Sequence, residues 1–178
     1  MNEEVIMGMG VYFNPNNESF TRARNSQIFV DKTGLIEYLN KRLSTEENCI
    51  ALSHARRFGK SHAAGMIDAY YSLGCDSSNL FDDTEIAKSP DYRKYIVIHI
   101  DVSSVWDFHK EDLVESIQQR ICEDLKKEYS DILNYDKDLY LLLQEIYDRT
   151  NIPFVIIIDE WDCVIRNSED KDLVHKYL

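Results

Sequence analysis

Gly59, Lys60 and Ser61 stand in a row where a short apolar run, residues 49–52, gives way to a helical pattern. A turn at such a junction aims backbone N–H groups at an anion, and the helix N-terminus adds partial positive charge. Lys60 is then set to neutralise the terminal phosphates of a nucleotide, and the Ser61 hydroxyl to hold Mg²⁺. Gly-Lys-(Ser/Thr) arises by chance about 0.04 times in this composition, so its place at a strand-to-helix junction is informative. The complete phosphate-loop pattern would put a glycine at position 54, where the chain has His54. The nucleotide-binding run is therefore read as His54, Ala55, Arg56, Arg57, Phe58, Gly59, Lys60, Ser61 and His62, with an altered approach into the loop. Arg56 and Arg57 either clamp phosphate or form a solvated charged loop, and the residue types alone do not choose.

The acidic counterpart lies about 100 residues downstream, where the apolar run 154–158 ends in Asp159 and Glu160. In that position Asp159 would hold Mg²⁺, usually through water, and Glu160 would polarise the attacking water. The catalytic pair is read as Glu160 and Lys60, and the metal ligands as Ser61 and Asp159. Two adjacent acids at a strand end repel each other, so a cation beside them is physically reasonable. Trp161 is read as a packing residue. His99, Asp101, Asp107 and His109 offer metal-ligand chemistry, but only the first two share a strand face, so a satisfied structural role is expected. Glu169-Asp170-Lys171 has the letters of a nuclease motif in a polar, non-strand stretch and is read as chance. Tyr70 and Tyr71 are read as core or half-buried surface.

These groups need a frame to hold them. Residues 27–30, 49–52, 95–102 and 154–158 read as strands. Leu35, Ile36, Leu39 and Leu43 recur at helical spacing. A helix is expected from about Lys60 to Leu73, closed by Gly74. Leu113, Ile117, Ile121 and Leu125 mark another, and Leu139, Leu142, Leu143, Ile146 and Tyr147 a third. Residues 1–24 read as an irregular polar arm, residues 75–91 as a loop-rich connection, and a further helix begins near the end of the chain. Alternating strands and helices predict an α/β fold with a largely parallel sheet. Ligands bind such sheets at the carboxyl ends of the strands, where both motifs fall. The division expected is an arm over residues 1–26 and one α/β domain over residues 27–178.

The bulk numbers narrow the partners. The chain has 178 residues and a formal charge of -12, with 20 basic and 32 acidic residues. That argues against a general nucleic-acid grip by this segment, because phosphate backbones need a basic surface, and leaves room only for a local basic patch. No apolar run approaches a membrane span, and the acidic start lacks a signal-peptide core, so a cytoplasmic protein without membrane contact is expected. Cys49, Cys75, Cys122 and Cys163 are widely spaced and read as reduced, mostly buried thiols.

Five stretches carry a resemblance: Phe29-Val30-Asp31-Lys32-Thr33, Arg56-Arg57-Phe58-Gly59-Lys60-Ser61, Ala69-Tyr70-Tyr71, Asp76-Ser77-Ser78-Asn79-Leu80-Phe81 and Ile157-Ile158-Asp159-Glu160-Trp161-Asp162. With these the chain resembles the bacterial AAA-ATPase-like family, whose P-loop ATPase domain is often joined to a C-terminal PD-(D/E)XK nuclease-like domain. The resemblance spans roughly residues 11–165. It implies an ASCE-type P-loop NTPase, a three-layer sandwich using ATP and Mg²⁺, with Lys60 and Ser61 in Walker A and Asp159 and Glu160 in Walker B. The chain departs at His54-Ala55, where the family usually shows Arg-Pro. In an ASCE sheet a strand from later in the sequence separates the two motif strands, and nothing after Asp159 reads as that strand. The expectation is a fragment, with later strands missing, whose open sheet edge favours self-association. Nucleic acid is expected as a partner only through a C-terminal domain. The reading is an ATP-binding, ATP-hydrolysing module. The alternatives are a non-catalytic scaffold with a degenerate P-loop and, more remotely, a nuclease.

Overall fold

The computed structural model describes residues 12–53, 58–130 and 138–178. Its centre is a parallel pair of strands, β1 (Ile96–Asp101) and β2 (Phe154–Asp159). They run in register from Ile96 opposite Phe154 to Asp101 opposite Asp159. Both are dense in β-branched residues, which fit a pleated, largely covered surface. A parallel pair needs a crossover. Here it consists of α5 (Val102–Trp106), α6 (Leu113–Glu128) and α7 (Leu139–Thr150), with α1 to α4 lying earlier in the chain as given below. Asp101 closes β1 and opens α5, accepting hydrogen bonds from the Ser103 N–H at 3.0 Å and the Ser103 hydroxyl at 2.6 Å.

Alternation along β1 sends side chains to two apolar clusters. Ile96, Ile98 and Ile100 pack with Leu113, Ile121 and Leu125 of α6 and with Leu142 and Ile146 of α7. Val97 faces the other way, toward Met66, Ala69 and Tyr70 of α3 (Lys60–Tyr71) and Ile36 and Leu39 of α2 (Thr33–Asn40). Helices therefore cover both faces of β1, while Ile156 and Ile158 of β2 stay more than half exposed; the α/β character read from the sequence holds. Tyr70 and Tyr71 are fully buried in the second cluster.

The end of α3 ties it to the start of β1. Ser72 bridges Tyr95, whose N–H donates to the Tyr71 carbonyl at 3.1 Å. The helix consequently runs antiparallel to the strands, and its first turn lies on the side of Asp101 and Asp159. This bridge also explains why the helix stops at Tyr71, short of the Gly74 signal. On the other flank of β1, residues 12–14 pair with Ile98, and the Asn14 side chain accepts from the Val97 N–H at 2.9 Å.

Several local expectations are corrected. Residues 27–30 and 49–52 are not strands. A strand is made by its hydrogen-bonded neighbour, and neither segment has one among the described residues; Phe29 and Ile50 instead pack as loop residues on the second cluster. The supposed irregular arm contains α1 (Glu18–Arg24), with Phe20 and Ala23 buried. It approaches α3 closely: a Cβ at Gly65 would stand 3.0 Å from the Ser19 hydroxyl. The connection after α3 holds α4 (Ser78–Phe81) and a 3-10 turn at Glu85–Lys88, which bury Leu80, Phe81 and Ile86. Beyond β2 come α8 (Cys163–Asn167) and α9 (Lys171–Tyr177). Asp170 caps α9, so Glu169-Asp170-Lys171 is a helix start. Cys75 and Cys163 are buried and Cys122 partly so, while Cys49 is exposed; all four are free thiols. Among the described residues no helix is long and apolar enough to cross a membrane.

Candidate functional site

Gly59 is the hinge of the site. It precedes α3 with φ +75° and ψ 38°, a left-handed conformation that glycine adopts without the Cβ clash other residues meet. The close approach is specific too: a Cβ here would sit 2.9 Å from the Lys32 ammonium. Lys32 Nζ donates to the Phe58 carbonyl at 2.6 Å and the Gly59 carbonyl at 3.0 Å. The Gly59 carbonyl also accepts the first helical hydrogen bond, from the Ala63 N–H at 3.0 Å. His54, Ala55, Arg56 and Arg57 lie outside the described residues, so their part in the loop rests on the sequence.

Phe58, Gly59, Lys60 and His62 form one wall of a cavity of about 700 Å³. The segment leading into α2 lines it as well, with Phe29, Val30, Asp31 and Lys32. That volume falls within the usual range for small-molecule sites, and the lining is mostly apolar, with Asp31, Lys32 and Lys60 as its charged residues. Lys60 is half-buried, while Ser61 and His62 are exposed in the first turn of α3. Ser61, Asp159 and Glu160 are not among the cavity walls.

Asp159 ends β2 opposite Asp101, and its Oδ1 accepts the Glu160 N–H at 2.9 Å. Glu160 turns the chain with φ +51°. Its carboxylate is engaged by Arg166 of α8, which also pairs with Asp162 at 2.9 Å. Glu160 is thus held against a cation of its own chain. Trp161, read as a packing residue, is 51% exposed. Its side chain has lost the cover that a packing role requires, although its carbonyl accepts from the Tyr177 hydroxyl at 2.8 Å.

The structural role expected of His99 is borne out, but its partner escaped the sequence reading. Asp68 lies on the buried side of α3, and its Oδ2 stands 2.6 Å from Nδ1 of His99 on β1. Among the described residues the other oxygen, Oδ1, is buried without a hydrogen-bond partner. Burial pushes the Asp68 carboxyl up, while His99 pulls it back. Burial works against charge on His99, but the hydrogen bond and field of Asp68, with Asp159 and Asp101 beyond, outweigh it and raise the imidazole above its ordinary value. A lone acid on the apolar stripe of a helix was the available signal, since a buried carboxylate demands a partner. As for the other imagined metal ligands, Asp101 caps α5 and His109 contacts Arg120 at 3.1 Å. Among the described residues no group of three or more His, Cys, Asp or Glu side chains is placed to hold a metal ion.

The class these features define is an α/β protein that presents a glycine-started helix on the carboxyl side of a parallel strand pair. Over residues 17–178 the chain matches the family model described as Predicted AAA-ATPase. The chain belongs to that family, which gives it an ATPase-like, nucleotide-binding character. No curated protein and no solved structure matches it.

Proposed function

We propose that this chain is the nucleotide-binding module of a P-loop ATPase of the ASCE, AAA-like type, which takes up ATP with Mg²⁺ and hydrolyses it. The observation that carries the reading is the cavity of about 700 Å³ at the start of α3, where left-handed Gly59 and Lys60 meet a mostly apolar wall. The apolar part suits a nucleobase and ribose, and the Lys60 end suits the phosphates. Phe58, Gly59, Lys60, Ser61 and His62 would surround the triphosphate, together with His54, Ala55, Arg56 and Arg57.

The donor chemistry of two residues suits a magnesium ion. Ser61 offers an exposed hydroxyl and Asp159 a carboxylate, both on the carboxyl side of the sheet. Oxygen donors in small number suit Mg²⁺, which keeps several of its waters. Ser61 and Asp159 would hold the ion, and it would neutralise charge on the terminal phosphates. Lys60 adds a fixed positive charge where charge builds on the transferred group. Glu160 would orient the attacking water and take its proton once released from Arg166.

The test is isothermal calorimetry with Mg-ATP. The wild type should bind and Lys60→Ala should lose most of the affinity; absence of nucleotide binding by the wild type refutes the reading. One observation favours a second reading, a scaffold that binds nucleotide without hydrolysing it: Glu160 is engaged by Arg166. Steady ATP turnover that disappears in Glu160→Gln rules that reading out.

A further inference from the structure

We infer that Lys32 is a positioning residue for the phosphate loop: its ammonium sets the two peptide planes on either side of Gly59 so that their amides face the incoming phosphates. The inference rests on the nucleotide-binding reading above and assigns a role to a residue outside the loop.

The argument begins with the peptide unit. In a trans peptide the C=O and the N–H point in opposite directions. Lys32 Nζ binds the Phe58 and Gly59 carbonyls at 2.6 and 3.0 Å. The N–H groups of the same two peptide units, those of Gly59 and Lys60, therefore point away from Lys32. They are turned outward from the beginning of α3, the direction from which an anion is received by backbone amides. Gly59 could adopt many conformations in the absence of a constraint, because its φ of +75° is one of several that glycine reaches easily. A cation bridging its two flanking carbonyls selects one.

The support behind Lys32 is rigid. Asp31 accepts hydrogen bonds from the Thr33 N–H at 2.8 Å and the Thr33 hydroxyl at 3.1 Å, which fixes the turn into α2. The Leu35 N–H donates to the Lys32 carbonyl at 2.8 Å. Ile36 and Leu39 then bury α2 in the same cluster as Met66 of α3. Asp31, Lys32 and Thr33 thus work together: the acid and the hydroxyl hold the turn, and the lysine reaches across to the loop. The approach is close: a Cβ at position 59 would stand 2.9 Å from Nζ, so the ammonium would have to shift.

The experiment compares the wild type, Lys32→Met and Lys32→Arg in calorimetric titrations with Mg-ATP, pyrophosphate and adenosine. Thermal melts and amide NMR spectra are recorded without ligand. Lys32→Met keeps the length of the side chain and removes its charge. It should weaken ATP and pyrophosphate by a similar factor, about 10- to 100-fold as for the loss of charged hydrogen bonds, and leave adenosine unchanged. Lys32→Arg should restore most of the loss. The Gly59 and Lys60 amide resonances should move in Lys32→Met while the melting temperature stays near that of the wild type. Equal binding of ATP and pyrophosphate by wild type and Lys32→Met overturns the inference. So does an equal loss for adenosine, or a loss that only follows a lower melting temperature, because either makes Lys32 a general tether. A wild type that binds no nucleotide sinks the nucleotide reading instead, whereas unmoved Gly59 and Lys60 resonances in Lys32→Met sink the positioning role by itself.

Discussion

Replacing His99 by leucine should be among the most damaging single changes in this chain, and the structure says why. Asp68 is 4% exposed, and among the described residues its side chain has one hydrogen bond, the 2.6 Å contact to His99. Its other oxygen already lacks a partner. Leucine would leave a buried carboxylate uncompensated, which costs about 3 kcal/mol, the low end for a broken buried pair because His99 retains some exposure. For a chain of this size that corresponds to a melting temperature lower by about 6–12 °C. Circular dichroism melts across a pH series provide the assay.

The pH arm has a definite sign. The folded imidazole titrates above its ordinary value of 6.5, so its contribution is complete below 6.5 and is lost as pH rises through the raised folded value. Wild-type stability should decline over that interval, and His99→Leu should remove this part of the decline. The raised Asp68 carboxyl acts in the same sense at lower pH, since its proton is held more tightly in the fold than in the unfolded chain. Acid should therefore narrow the gap between His99→Leu and wild type, and adding Asp68→Asn to His99→Leu should recover part of the loss. A variant that melts with the wild type at every pH would refute the reasoning, as would a double variant less stable than His99→Leu.

Gly59→Ala should strain the left-handed turn by about 1 kcal/mol and push on Lys32, lowering Mg-ATP affinity in calorimetry more than it lowers the melting temperature. Arg166→Ala frees the Glu160 carboxylate and should raise ATP turnover per bound nucleotide with affinity unchanged; a fall in turnover in a coupled phosphate-release assay would mean that Arg166 instead orients Glu160 for reaction. Ile156 and Ile158 of β2 are 52% and 53% exposed, so the wild type should self-associate in sedimentation velocity, and Ile158→Lys should reduce that association with little change in melting temperature.

The sequence was most legible where structure is local. Leu113, Ile117, Ile121 and Leu125 foretold α6, because a four-residue step fixes one helix face whatever it packs against. The runs around Ile98 and Ile156 foretold β1 and β2, because β-branched residues between polar ends suit a covered strand. Gly59-Lys60-Ser61 located the start of α3 for the same reason: glycine's freedom and the capping of a helix are properties of a few consecutive residues. Residues 27–30 and 49–52 misled, since an apolar run becomes a strand only with a neighbour to bond, and neighbours are not written locally.

Sequence alone thus determined the α/β character and the family resemblance, and it supplied the residues proposed to receive phosphate. Tertiary structure decided what those residues contact. It set Lys32 against the carbonyls flanking Gly59, His99 against Asp68 and Arg166 against Glu160. Each is a pairing of charge with charge or dipole across separate elements. Many acids and bases in this chain could satisfy one another equally well, and only the packing of α2, α3, α8 and the strand pair brings these particular ones within bonding distance.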